Sequence, residues 1–117
     1  MILVTGSSGF VGSNLIPRMK SIAPVLGIDI TPSEYTDVLS GIENNNLRRL
    51  LKELSCDEVC VVNLAAARFD FGATASDYFR LNVECHASFL ESLEACRIKK
   101  FIHISSVASL DGRNIPY

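Results

Sequence analysis

The chain has 117 residues, which is enough for one domain and too few for two. Thirteen acidic and eleven basic side chains leave a net charge of −2, which argues against the broad basic surface of a nucleic-acid-binding protein. Hydrophobic residues make up 48% of the chain and charged residues 21%, so the composition excludes general disorder. No apolar run reaches the roughly 18–20 residues that cross a bilayer, and the four cysteines lack the close pairs of a zinc site or a disulfide framework. We therefore expect a cytoplasmic globular domain with reduced thiols that binds no metal, nucleic acid or membrane.

The first part of the chain predicts a strand, a helix and a second strand. Residues 2–5 form an apolar run without polar alternation, which is typical of a strand buried on both faces of a parallel sheet. After Gly6 and Gly9, residues 10–16 return apolar side chains at helical spacing. Pro17 predicts a kink or an early end of this helix, because proline lacks an N–H and crowds the preceding turn. Residues 25–30 predict a second buried strand.

The middle of the chain is less regular. Residues 31–46 are rich in Pro, Ser, Gly and Asn and predict loops, although a short strand at 35–38 is possible. Leucines at helical spacing predict a helix around 47–54, and the apolar run 58–64 predicts a third buried strand.

The last part predicts a loop at 67–74, a long helix over 76–97 and a strand at 101–104. The stripe that this helix would turn toward the core consists of Phe79, Val83, Ala87, Leu90 and Leu93. Alternation of strands and helices along the chain is the pattern of a doubly wound parallel sheet. Among the topologies with right-handed crossovers, the α/β Rossmann order 3-2-1-4-5 is favoured.

A glycine-rich turn lies between the first strand and the first helix and carries the clearest functional signal. The glycines Gly6, Gly9 and Gly12 are spaced G-x-x-G-x-x-G. In a dinucleotide-binding turn the first allows the tight turn, the second lets a pyrophosphate approach the backbone, and the third lets the helix pack on the sheet. The helix N-terminus then offers N–H groups and a partial positive charge to the phosphates. No Lys-Ser/Thr follows, so this is not a P-loop; an ordinary βα turn is the alternative interpretation.

Asp29 closes the second predicted strand, 17 residues after Gly12 (29 − 12). This is close to the interval of roughly 20 at which an acidic residue binds the adenosine ribose of a dinucleotide. A carboxylate there would repel a 2′-phosphate, and no arginine follows to receive one, so NAD is favoured over NADP. A solvated aspartate at a strand end is the alternative.

Five motifs in register resemble the extended short-chain dehydrogenase/reductase family, which contains the NAD-dependent epimerases and dehydratases acting on nucleotide sugars. The resemblance covers essentially the whole chain but does not specify the substrate. The motifs are Thr5-Gly-x-x-Gly-x-x-Gly12, Asp29, Asn63-Leu64-Ala65-Ala66, Leu81-Asn82-Val83 and Phe101-Ile102-His103-Ile104-Ser105-Ser106.

The resemblance implies a cofactor site assembled from several segments. The implied contacts are Gly6, Ser8, Gly9, Phe10, Val11 and Gly12 for the pyrophosphate, Asp29 and Ile30 for the ribose, Asp37 and Val38 for the adenine, and Leu64, Ala65 and Ala66 along the cofactor. Asn82 would support the active site or simply face solvent, and the alanines could be plain core residues. Glu84, Cys85 and His86 depart from the Asn/Gly/Thr-like residues usual in the family.

The resemblance also places Ser106 at the catalytic Ser/Thr position and Ser105 beside the nicotinamide, whereas His103 is expected in the core. The family's Tyr-x-x-x-Lys pair, whose tyrosine is the acid/base, normally follows the serine by some two dozen residues. Tyr117 resembles a loop tyrosine upstream of that pair, so the chain looks like the N-terminal, incomplete part of a larger NAD(P)-binding enzyme. We expect this protein to self-associate, as a homodimer or in another form. A non-catalytic NAD(P)-binding regulator of the same fold is the alternative.

Overall fold

The fold is built on a sheet of short parallel strands. The computed structural model describes residues 1–54, 58–66 and 74–106. All strand pairs are parallel, and the order across the sheet is β3-β2-β1-β4-β5, which confirms the predicted Rossmann order. The strands are β1 (Ile2–Thr5), β2 (Val25–Asp29), β3 (Val38–Leu39), β4 (Glu58–Asn63) and β5 (Arg97–His103). Three parts of the chain named above lie outside the described residues. They are residues 67–73 of the predicted loop at 67–74, Cys56 and the segment 107–117.

The helices lie between the strands in sequence. They are α1 (Phe10–Lys20), α2 (Asn45–Glu53), α3 (Ala75–Phe79) and α4 (Cys85–Leu93), with a π-helical turn (Arg80–Glu84) joining the last two. None of the helices in the described part of the chain is long and apolar enough to span a bilayer.

Apolar side chains form a core on each face of the sheet. On one face Ile16 of α1 packs with Val4 and Val62 of the strands. On the other face the cluster joins strand residues to α2 and α4, and its largest fully buried side chain is Phe89. Helices on both faces bury β1 and β4 almost completely, which explains why the sequences of these strands show no polar alternation.

Helix α1 does not end at Pro17 but continues to Lys20. Proline removes one backbone hydrogen bond to Ser13. Ile16 is 1% exposed and Met19 packs beside it on the sheet, so the packing of one helix face offsets the lost bond.

The long helix predicted over 76–97 was wrong at its end and in its buried face. It ends at Leu93, because Arg97 already pairs with Glu58 in the sheet and β5 begins there. Phe79, Val83 and Leu90 of the predicted stripe are about half exposed, whereas Leu93 is buried as predicted and shares the buried face with Cys85, Phe89 and Ser92. A π turn adds one residue to the helical repeat, so a 3.6-residue period read across it assigns the wrong face.

Candidate functional site

A cleft of about 540 Å³ opens where the carboxyl ends of β1, β2 and β4 meet. Ligands of open α/β sheets bind at this edge, beside the point where the strand order reverses. The residues that line it are Gly6, Ser8, Gly9, Ile28, Asp29, Ile30, Thr31, Ser40, Gly41, Ile42, Glu43, Leu64, Ala65, Ala66, Arg80, Leu81, Cys85 and His86. Eight of the residues implied by the sequence are therefore brought together, namely Gly6, Ser8, Gly9, Asp29, Ile30, Leu64, Ala65 and Ala66.

The three glycines of the turn have different local environments. Gly6 has φ +69°, and a Cβ there would lie 2.9 Å from the backbone nitrogen of Ala65, so both its conformation and its space require glycine. Gly12 is buried in α1, and its Cβ would lie 2.4 Å from the carbonyl oxygen of Gly6. Gly9 is exposed, has φ −68°, and its Cβ would meet only the Gly6 oxygen at 3.3 Å. The fold therefore needs glycine at positions 6 and 12, but it leaves the space above Gly9 open.

The N-terminus of α1 begins at this open space. Gly9 is the N-cap residue, and no side chain caps the helix. By contrast, Asn44 caps α2 and Thr74 caps α3 with side-chain oxygens. The first-turn N–H groups of α1 are thus left to water or to an anion from the cleft. Phe10 and Val11, which the sequence implied as cofactor contacts, are exposed at the start of the helix without lining the cleft.

The Asp29 carboxylate is fixed by two backbone groups. Its Oδ2 accepts a hydrogen bond from the Ser8 N–H at 3.0 Å, and its Oδ1 accepts one from the Thr31 N–H at 2.9 Å. The first bond ties the end of β2 to the glycine turn. The remaining lone pairs of the carboxylate stay available as acceptors on the cleft side, which suits the two hydroxyl groups of a ribose.

A buried polar network fixes the strand end that carries Leu64, Ala65 and Ala66. The Thr5 hydroxyl donates to the Asn63 side-chain oxygen and accepts from the Ala65 N–H at 3.2 Å. The Asn63 Nδ2 donates to His103 Nδ1 at 3.1 Å. Because these bonds join β1, β4 and β5, the backbone at 64–66 is held against the glycine turn. His103 was expected in the core, but it is an exposed residue at the end of β5, where it pairs with Asn63.

The opposite wall consists of Arg80, Leu81, Cys85 and His86, which the sequence did not indicate as cleft residues. Arg80 is the one Lys or Arg among the described residues that line the cleft. Burial, aided by the Glu43 carboxylate, raises the pKa of the Cys85 thiol, and burial likewise raises that of Cys96. Thiols with raised pKa values are poor nucleophiles, in keeping with a packing role for both.

Besides Phe10, Val11 and Gly12, five more residues implied by the sequence do not line this cleft. Asp37 and Val38 border a separate groove between β3 and α2, and the Asp37 carboxylate accepts from the Gly27 N–H at 2.8 Å. The cleft wall beyond Asp29 is formed instead by residues 40–43. Asn82 in the π turn, and Ser105 and Ser106 after β5, are exposed and do not line the described cleft.

A comparison with protein-family models matches residues 2–114 to the NAD-dependent epimerase/dehydratase family. No sequence among curated proteins matches this chain. The family match includes the glycine turn, both sides of the cleft and all five strands.

Several solved structures are similar to this chain. A short-chain dehydrogenase/reductase superfamily protein from Agrobacterium tumefaciens, solved with bound NAD, is 27% identical with a TM-score of 0.71, over 91% of this chain and 32% of that one. The UDP-glucuronic acid 4-epimerase from Bacillus cereus, in complex with NAD, is 25% identical with a TM-score of 0.71, over 97% and 42%. An epimerase from Methanothermobacter thermautotrophicus is 25% identical with a TM-score of 0.73, over 99% and 38%. The chain thus spans about a third to two-fifths of the length of these proteins.

Proposed function

The chain belongs to the NAD-dependent epimerase/dehydratase family, and on that premise we propose that its cleft binds NAD for an epimerase-like oxidoreductase. The observation that carries the proposal is the open space above Gly9. The backbone conformation of Gly9 suits any residue, and a Cβ there would meet a single protein atom, the Gly6 carbonyl oxygen at 3.3 Å, so packing requires glycine less strictly here than at positions 6 and 12. A pyrophosphate lying against the uncapped first turn of α1 would require it.

The remaining parts of the cleft suit the other parts of NAD. Asp29, already held by Ser8 and Thr31, accepts from the ribose hydroxyls and repels a 2′-phosphate. Because Asp37 and Val38 border another groove, the adenine is assigned to the wall at residues 40–43, where Ile42 is the apolar side chain. Arg80 adds a positive charge to a cleft that would receive two phosphates. The small side chains at Gly9 and at residues 65–66 allow NAD to lie close to the backbone.

NAD when bound supplies a nicotinamide that accepts or returns a hydride. In the intact enzyme, Ser106 would orient the reacting oxygen by a hydrogen bond, with a Tyr-x-x-x-Lys pair as the acid/base. A nucleotide sugar is the proposed substrate class, supported by a matched structure, 25% identical with a TM-score of 0.75, that holds UDP-glucose and NAD. The 117-residue chain alone would bind NAD without turnover, because an unassisted hydroxyl is a poor base.

Calorimetric titration of the chain with NAD tests the proposal. Gly9→Asp should abolish binding, because a carboxylate would occupy the space of the pyrophosphate and repel it. Gly9→Asn is the matched control, since it adds a side chain of the same size without the charge. We expect Gly9→Asn to bind weakly and Gly9→Asp not at all. Absence of NAD binding by the unmodified chain, or equal binding by the unmodified chain and Gly9→Asp, would contradict the proposal.

The catalytic part of the proposal has a separate test. Mixing the chain with NAD and a panel of nucleotide sugars should give no enzyme-level change in the absorbance of reduced nicotinamide. Loss of a general acid/base alone typically lowers a rate by about 10²–10⁴-fold. Ser106→Ala should leave NAD binding nearly unchanged, since the serine lies outside the described cleft. Rapid turnover by this chain would show that it already contains the acid/base.

A further inference from the structure

His86 is one of the cleft residues at which the sequence departs from the family pattern, and its side chain makes two contacts with backbone carbonyls. Its Nε2 lies 2.8 Å from the carbonyl oxygen of Ala65, and its Nδ1 lies 3.0 Å from that of Leu81. A carbonyl oxygen only accepts hydrogen bonds. A neutral imidazole carries one N–H and can satisfy one of these oxygens, whereas a ring with hydrogens on both nitrogens donates to both.

The two carbonyls belong to opposite walls of the cleft. Ala65 lies in the segment after β4 that faces the glycine turn, and its N–H is already held by Thr5. Leu81 lies in the π turn, where the helical ladder is widened. The imidazole therefore bridges the helical wall to the strand end. The His86 side chain is half-buried, so its two hydrogen bonds are partly shielded from competing water.

The charged and titratable groups around the bridge come from several elements. The His103 ring of β5 packs edge-on against His86, with ring centres 5.6 Å apart. Arg80 and Cys85 from its own helical segment, and Asp29 and Glu43 across the cleft, border the same space. His103 directs Nδ1 toward the Asn63 amide, so this nitrogen acts as an acceptor and His103 is not a second donor to Ala65.

We propose that His86 is a positioning residue of the dinucleotide cleft, whose imidazole holds the Ala65 backbone at the distance from the helix that NAD requires. The inference rests on the proposed binding of NAD. The residue touches backbone rather than cofactor, so it acts by pre-forming the wall. A ring that keeps only one hydrogen makes one of the two links, and NAD affinity falls with the loss of the other.

The test is calorimetric titration with NAD of the unmodified chain and of two His86 variants. His86→Leu, with no donor, should bind NAD about tenfold more weakly than the unmodified chain, which is the effect of losing the hydrogen bonds of the bridge. His86→Gln, whose amide group restores a donor, should recover part of the affinity, whereas a role of His86 in packing alone would be served as well by leucine.

His103→Gln is the comparison for the neighbouring ring, because its amide oxygen can accept from Asn63 in place of Nδ1. A loss of NAD affinity in His103→Gln as large as that in His86→Leu, with no recovery in His86→Gln, would assign the effect to the Asn63–His103 pair and overturn the inference. Equal NAD affinity of the unmodified chain and His86→Leu would also overturn it. If the unmodified chain binds no NAD, the proposed function itself fails and the inference fails with it. Circular dichroism of the folded His86→Gln variant separates a local effect from loss of structure.

Discussion

Replacing Gly12 by alanine tests how the glycine turn and α1 are packed. A Cβ at this position would lie 2.4 Å from the Gly6 oxygen, 2.7 Å from the Ser7 oxygen and 2.8 Å from the Ser7 Cα. All three are backbone atoms of a turn that Gly6 holds at φ +69°, so relief requires a shift of α1. Overpacking of this kind costs typically about 1–3 kcal/mol, against a gain of up to about 1 kcal/mol from alanine in a helix. We therefore expect a net loss of about 1–2 kcal/mol.

Thermal unfolding followed by circular dichroism measures this loss. One kcal/mol corresponds to about 4 °C for a domain of this size, so the Tm should fall by about 4–8 °C. Gly9→Asn is the matched control, because its Cβ would meet only one atom and asparagine is a favourable N-cap residue. Its Tm should stay within about 2 °C of the unmodified chain. Equal stability of Gly12→Ala and the unmodified chain, or an equal loss in Gly9→Asn, would refute the packing argument.

Three further predictions concern cofactor choice, association and acid stability. NAD should bind more tightly than NADP by roughly 1–3 kcal/mol, because a 2′-phosphate would meet the Asp29 carboxylate; equal or tighter NADP binding in calorimetry would contradict this. The exposed apolar side chains of the α3–α4 segment should drive self-association at high micromolar concentration, and Leu90→Glu should weaken it in light scattering, whereas a monomeric unmodified chain would contradict it. Hydrogen bonds from the Thr74 backbone and hydroxyl lower the pKa of Asp77 below its ordinary value of 3.8. The stability that the Asp77 carboxylate adds to α3 is therefore complete above pH 3.8, and it is lost as the pH falls through the lower pKa of the folded state. The protection of the α3 amides, measured against their intrinsic exchange rates, should therefore fall in acid, and Thr74→Ala should show lower protection already at neutral pH; equal protection in both chains would rule out the cap.

The three central strands were predictable because their residues are mostly apolar, whereas β5 was predicted only at 101–104, because its first half carries Arg97, Lys99 and Lys100. Burial on both faces removes the polar alternation that marks half-exposed strands, so residues 2–5, 25–30 and 58–64 were identified to within a residue at each end. The glycine turn was predictable for a different reason. The end of a strand, a tight turn and the start of a helix follow one another within eight residues. Few residue types other than glycine fit positions 6 and 12 in so short a connection.

The parts that were missed depend on tertiary contacts or irregular backbone. A π turn leaves no mark in a pattern of apolar residues, so the buried face containing Phe89 could not be read from a regular period. Strand β3 has only two residues, too few to set a register, so the sequence did not show that Asp37 borders a separate groove while residues 40–43 line the cleft. The contact between His86 and His103 joins a helix to a strand across 17 residues (103 − 86), and no local signal indicates it.

A titration of the ¹⁵N-labelled chain with NAD shows directly whether NAD binds at the glycine turn and the adjoining strand ends. The largest amide shifts should occur at residues 8–12, 29–31 and 64–66, around the cleft at the carboxyl ends of β1, β2 and β4. The groove between β3 and α2, lined by Asp37, Val38 and Arg49, provides the internal comparison. Shifts concentrated along that groove, or no shifts at saturating NAD, would contradict the account.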